Sequence, residues 1–204
     1  MKQNLTALLL LVSGALTMST SAAPPVAIVI HAGAGGKGIK MPATKEKQHH
    51  ETLTRALRAG HAVLINKGSA LEAVQAAIVV MEDSILFNAG KGAVFTSAGE
   101  NELDASIMDG NTLLAGAVGG VTIIKNPIHA AHAVMKKTPH VMLAGEGADT
   151  FAKRVGLEIV PRKYFYTKHQ WKQLEQWKAK QKTEKQSQLE MTREYLGTVG
   201  CAAL

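Results

Sequence analysis

The stretch Gly197-Thr198-Val199-Gly200 carries the most specific chemistry that this chain could perform. A threonine hydroxyl in the middle of a chain is a poor nucleophile. At a newly made N-terminus it gains a base, because its own α-amino group can take the hydroxyl proton. That amine has an unperturbed pKa of about 7.7–8.0, close to the working pH, where a general base is most effective. The chemistry therefore requires a cut before Thr198. Gly197 suits such a cut: without a Cβ it lets the peptide bend and lets the hydroxyl approach the carbonyl ahead of it. Attack on that carbonyl is an N→O acyl shift, completed by hydrolysis of the ester. From these four residues alone, an ordinary strand threonine is the simpler reading.

Other candidate chemistries are weaker. Gly33-Ala-Gly35-Gly-Lys-Gly38 matches G-x-G-x-x-G after a β-branched run. A dinucleotide fingerprint needs its third glycine inside a helix packed on that strand. Here Gly38 is followed by Ile-Lys-Met-Pro42, and Leu57, Arg58 and Ala59 stand where an acidic ribose partner is wanted. His129 and His132, three apart, and the adjacent His49 and His50 come without the carboxylates or thiols that a zinc site would add. No G-x-S-x-G elbow or Walker loop is present. The single Cys excludes an intramolecular disulfide.

The elements that must position Thr198 are legible as an α/β pattern. Val26–Ile30 reads as a strand buried on both faces. Residues 44–66 read as a helix from Leu53, Ala56, Leu57, Gly60, Val63 and Leu64. Gly68-Ser69 ends it and caps a second helix with the stripe Leu71, Val74, Ala77, Ile78 and Met81. Asn88–Gly92 is a turn. Ala93–Ser97 and Glu102–Met108 read as strands, Asp109-Gly110 as a tight turn, and Leu113–Ile124 as a strand pair or one bent strand. Asn126-Pro127 opens a helix to about Lys137, Val141–Ala144 reads as a strand and Glu146–Val155 as a helix.

Charge is concentrated rather than general. The 204 residues carry 23 Lys and Arg against 16 Asp and Glu, a net +7. Of this, +6 lies between Arg162 and Arg193, where Lys, Gln and Glu dominate and no apolar period persists after Trp177. Residues 162–196 accordingly read as a mobile Lys-rich linker. Aromatics at 4% argue against a base-stacking surface, so this charge is read as a solvated face and no nucleic-acid partner is expected. At the other end, Lys2, the apolar stretch Leu5–Leu16 and Thr20-Ser21-Ala22 have the order of a secretory signal peptide over residues 1–22. Export with a lone Cys points to a bacterial periplasm and to no membrane attachment after signal removal.

Taken in order, several motifs closely resemble the plant-type (type III) asparaginase and isoaspartyl peptidase family of N-terminal nucleophile hydrolases. They are Ile30-His-Ala-Gly-Ala-Gly-Gly36, Leu86-Phe-Asn-Ala-Gly90, Gly92-Ala-Val-Phe95, Glu102-Leu-Asp-Ala105, Met108-Asp-Gly-Asn111 and Ala115-Gly-Ala-Val118. Asn126-Pro127, Pro139-His-Val-Met142, Gly145-Glu-Gly147 and Gly197-Thr-Val-Gly200 complete the set. The resemblance implies an αββα sandwich, incomplete in these 204 residues, with an α-subunit core at 23–161 and the first β-subunit strand at 198–204. It implies self-cleavage between Gly197 and Thr198, Thr198 as nucleophile, and Asn88 as a supporting site residue. It also implies a structural sodium ion held by the backbone carbonyls of Met81, Glu82, Ser84, Phe87, Ala89 and Lys91, with no cofactor for catalysis. Implied substrates are Asn and β-aspartyl dipeptides, and the implied assembly is two αβ pairs. The family's second active-site Thr, substrate-clamping Arg and Asp, and Thr-Gly oxyanion pair have no counterpart in these residues, because Thr198 is followed by only six more. These 204 residues alone are expected to be inactive and uncut. An inactive fragment that serves only in binding and assembly is the alternative.

Overall fold

The computed structural model of the chain describes residues 25–33, 41–183 and 198–204. The expected signal peptide, residues 184–196 of the expected linker, and Gly197 lie outside the described residues. Five strands and five α-helices are present among those described. Strand β1 is Ile28–His31, followed by helices α1 (Ala43–Ile65) and α2 (Ala70–Glu82). Strands β2 (Leu103–Met108) and β3 (Ala115–Val121) precede helix α3 (Pro127–Lys137), strand β4 (Met142–Ala144) and helix α4 (Gly145–Arg154). Helix α5 (Lys168–Thr183) and strand β5 (Gly200–Ala203) complete the order. The architecture is mixed α/β.

Local chemistry explains most boundaries. The Ser69 hydroxyl accepts the Glu72 N–H while the Glu72 carboxylate accepts the Ser69 N–H, a reciprocal capping box that starts α2. Pro127 occupies the first turn of α3, where its missing N–H costs nothing, and Lys136 and Lys137 lie in the last turn, where cations suit the helix dipole.

Two small sheets result. Strand β1 pairs antiparallel with β5, Ile28 opposite Ala203 and His31 opposite Gly200. The other sheet has the order β2-β3-β4, antiparallel between β2 and β3 and parallel between β3 and β4. Helix α1 packs on α2, α2 lies against β5, and α3 lies under β2 and β3. One core cluster includes Ala56, Ile78, Met81, Phe87 and Ile128, with Ile30, Val199 and Cys201 packed against it. The other includes Val118, Val134, Phe151 and Phe165.

The structure differs from the sequence expectations in four places. First, β1 is not buried on both faces: its exposure alternates and Val29 is 64% exposed. Second, Ala93–Ser97 is not a strand. Its polar backbone groups are taken locally, Val94 N–H by the Asn88 side chain and the Ala93 and Val94 carbonyls by the Asn101 amide. Third, of the two readings of Leu113–Ile124 the single strand is the one found, but it is confined to Ala115–Val121, because Leu113 sits at φ 60° in the loop that closes the β2–β3 hairpin. Fourth, the described part of the Lys-rich segment is no linker. Residues 162–165 form a 3-10 turn and 168–183 form α5, anchored by the buried side chains of Phe165, Gln170 and Leu174.

Candidate active-site cleft

Thr198 lies just before β5, which antiparallel pairing holds beside β1. The register sets His31 opposite Gly200, and His31 Nδ1 donates to the Thr198 carbonyl at 3.1 Å, so the proton sits on that ring nitrogen. This histidine stands second in one of the motifs in the sequence, yet nothing in its spacing marks it as a partner of Thr198. Only the strand pairing brings the two together.

Thr198 opens onto a cleft of about 590 Å³ that is also lined by Asn88, Glu82, Glu102, Asp104 and Cys201. Thr198 and Asn88, far apart in the sequence, are thus brought to one cavity. Asn88 Oδ1 accepts the Val94 N–H at 3.0 Å, which fixes the turn that presents it. The Cys201 thiol offers no competing nucleophile, since burial pushes its pKa up to about 11 and leaves almost no thiolate at neutral pH.

Beneath the cleft lies a carboxyl group that the sequence reading considered only for its backbone. Glu82 is 4% exposed, and its Oε1 accepts the Ile128 N–H at the start of α3. Burial pushes its pKa up to about 8, against the opposing pull of Asn126 and the Ile128 amide. A largely neutral carboxylic acid therefore lines this cavity at pH 7. No side-chain signal at position 82 distinguishes such a residue from a surface glutamate at a helix end.

The loop from Met81 to Lys91 closes on itself. The Met81 and Ala89 carbonyls accept the N–H groups of Ser84 and Gly92 at 3.1 and 3.0 Å. The Ser84 and Phe87 carbonyls converge on the open side of Gly92, and a Cβ there would collide with the Phe87 oxygen and lie 2.9 Å from that of Ser84. Gly90, at φ 49°, leaves the same kind of space in front of the Glu82 carbonyl. Carbonyl oxygens in a cradle are the donors that a hard cation takes. Among the described residues, no group of three or more His, Cys, Asp or Glu side chains converges as a metal site.

A family model described as Asparaginase matches residues 24–204. The isoaspartyl peptidase/L-asparaginase of Homo sapiens is 42% identical over 87% of this chain and 55% of its own length. That of Mus musculus is 40% identical over 89% of this chain and 56% of its own. The isoaspartyl peptidase of Escherichia coli (strain K12) is 45% identical over 72% of this chain and 46% of its own. The chain spans about half the length of the curated relatives it matches. With nearly its whole length covered by that model and its matches to these relatives in the forties of percent identity, the chain belongs to the asparaginase family.

Proposed function

We propose that this chain forms part of a self-cleaving threonine amidohydrolase that acts on L-asparagine and β-aspartyl dipeptides. The observation that carries the reading is the meeting of Thr198 and Asn88 in one cleft. In the first reaction the Thr198 hydroxyl oxygen attacks the carbonyl carbon of residue 197. The peptide nitrogen leaves as the free amine of Thr198, and water hydrolyses the resulting ester. The freed amine then serves as base for the same hydroxyl. In turnover that hydroxyl attacks the side-chain amide carbon of asparagine, ammonia leaves, and water releases aspartate from the acyl-enzyme. With a β-aspartyl dipeptide the leaving group is the second amino acid.

His31 holds the Thr198 carbonyl, and so orients the residue whose hydroxyl reacts. The residue 81–91 loop fits a structural sodium ion bound by the carbonyls of Met81, Glu82, Ser84, Phe87, Ala89 and Lys91. The Glu82 carbonyl facing Gly90, and the Ser84 and Phe87 carbonyls facing Gly92, support that fit. Such an ion would brace the turn bearing Asn88 and supply no reaction step. In this reading the working protein is an αββα sandwich whose second half follows Thr198, assembled as two αβ pairs. Its precursor is exported to the periplasm through residues 1–22.

The test is Thr198→Ala in the protein expressed from its full reading frame. The expected product is a single uncut chain by mass spectrometry, with no ammonia released from asparagine. An uncut variant that still hydrolyses asparagine at the wild-type rate overturns the mechanism.

A further inference from the structure

We propose that Gln170 is a positioning residue for the Asn88 turn, which makes α5 part of the frame of the cleft. Its link to catalysis rests on the functional reading above, while its geometry stands independently of that reading.

Gln170 is 6% exposed and sits in the first turn of α5. Its Nε2 donates to the Gly92 carbonyl at 2.9 Å in a buried contact. Gly92 in turn donates to Ala89, and two residues further on Val94 donates to the Asn88 side chain. The segment from Asn88 to Val94 is therefore closed by bonds of its own, with Gln170 gripping it from outside at its midpoint. Asn101 supplies the second outside grip, on the Ala93 and Val94 carbonyls.

Helix α5 is itself fixed at that end. The Thr167 hydroxyl accepts the Gln170 N–H, and the Trp171 ring packs edge-on against Phe95 with centroids 5.2 Å apart. Gly99, in the loop between Phe95 and Asn101, lies against the same indole, 3.7 Å from it at the position a Cβ would take.

The choice of residue type is informative. Gln170 Oε1 is buried with no hydrogen-bond partner among the described residues. Burying a half-satisfied amide is costly, and an apolar side chain of the same size would avoid that cost only by leaving the Gly92 carbonyl without this donor. What glutamine adds is direction: one N–H aimed at one carbonyl, which would otherwise be buried and unpaired. A residue serving packing alone would not need it.

The test has two arms. In the 204-residue chain, Gln170→Leu keeps the volume and removes the amide. Amide exchange at Gly92 and Val94 is expected to quicken about tenfold or more, while α3 amides keep their wild-type rates. Should the leucine loosen α5, Gln170→Met replaces it under the same criteria. Unchanged exchange at Gly92 and Val94 overturns the proposal, whether or not α5 keeps its own protection. In the protein from the full reading frame, Gln170→Leu is expected to lower kcat for asparagine about tenfold, with KM within twofold of wild type. Wild-type kcat overturns the positioning role. If the unmutated protein shows no hydrolysis at all, the functional reading alone fails, and the exchange arm decides Gln170.

Discussion

His129 shows how a single side chain can be assigned a proton and then a consequence. Gln75 Nε2 donates to the Leu71 carbonyl, which turns Gln75 Oε1 toward His129 Nδ1, 3.0 Å away. The proton of the neutral ring therefore sits on Nδ1. Half-buried between α2 and α3, the ring has its pKa lowered from 6.5 by burial, with Asp83 pulling the other way. His132, one turn along α3, is lowered too, by burial and by Lys136 and His129, against Glu72. The sign follows from linkage: above pH 6.5 neither state binds the proton, and below it the unfolded chain takes one that the folded chain refuses. Stability from these groups is full above pH 6.5 and is lost as pH falls below it toward the folded values. Buried Glu82 acts the other way over this range, because its raised pKa lets the folded chain keep a proton that the unfolded chain gives up, so the histidine contribution is read as a difference between variants. The urea midpoint of His129→Gln is expected to gain on that of wild type as pH falls from 7 to 5. Equal slopes in wild type and variant contradict the assignment.

Helix α5 is the part of the fold least legible in the sequence. Its buried contacts come from Gln170 and Leu174, four apart, backed by Phe165 in the turn before it. A stripe that narrow, half of it glutamine and set among lysines, has the composition of a solvated linker. The long apolar stripes of α1 and α2 were plain by contrast, as were the Ser69 cap and the proline start of α3. Ala93–Ser97 misled for the opposite reason. Its residues favour a strand, but Asn88 and Asn101 bind the backbone groups that a ladder would use. At the site, Gly-Thr-Val-Gly alone reads as an ordinary strand, and Thr198 and Asn88 stand out only through the resemblance that their motifs carry. His31 and Glu82 do not, since their roles arise from strand pairing and from burial at the start of α3. Phe165→Ala separates the helix from the linker directly. Phe165 is fully buried in the cluster that holds Val118 and Phe151, so its truncation is expected to cost about 3–5 kcal/mol by urea denaturation. A residue in a loose linker would cost almost nothing.

For the whole molecule, the basic balance and the open sheets lead to the same expectation. The +7 charge first suggests a polyanionic partner, yet +6 of it falls between Arg162 and Arg193, over the turn before α5, α5 itself and the residues that follow it. Charge so placed keeps the polar face of one helix in water. The sheets are the less finished feature. Among the described residues β5 pairs with β1 alone and β4 with β3 alone, leaving free strand edges beside Thr198. Exposed edges of this kind normally find a partner. The chain spans about half the length of the relatives it matches, and in the proposed reading the remainder of the full protein supplies the partner strands. Self-cleavage needs the residue 197 carbonyl held at an angle that the Thr198 hydroxyl can attack, with donors ready for the developing oxyanion. Here Thr198 is exposed, and His31 holds it by its own carbonyl, not by the hydroxyl or the residue 197 carbonyl. The 204-residue chain alone is therefore expected to stay intact at Gly197-Thr198 through prolonged incubation, followed by mass spectrometry. The protein from the full reading frame is expected to split there under the same conditions. A clean split in the 204-residue chain would mean that β1, β5 and His31 suffice to hold the reacting bond, and that the second half serves turnover alone.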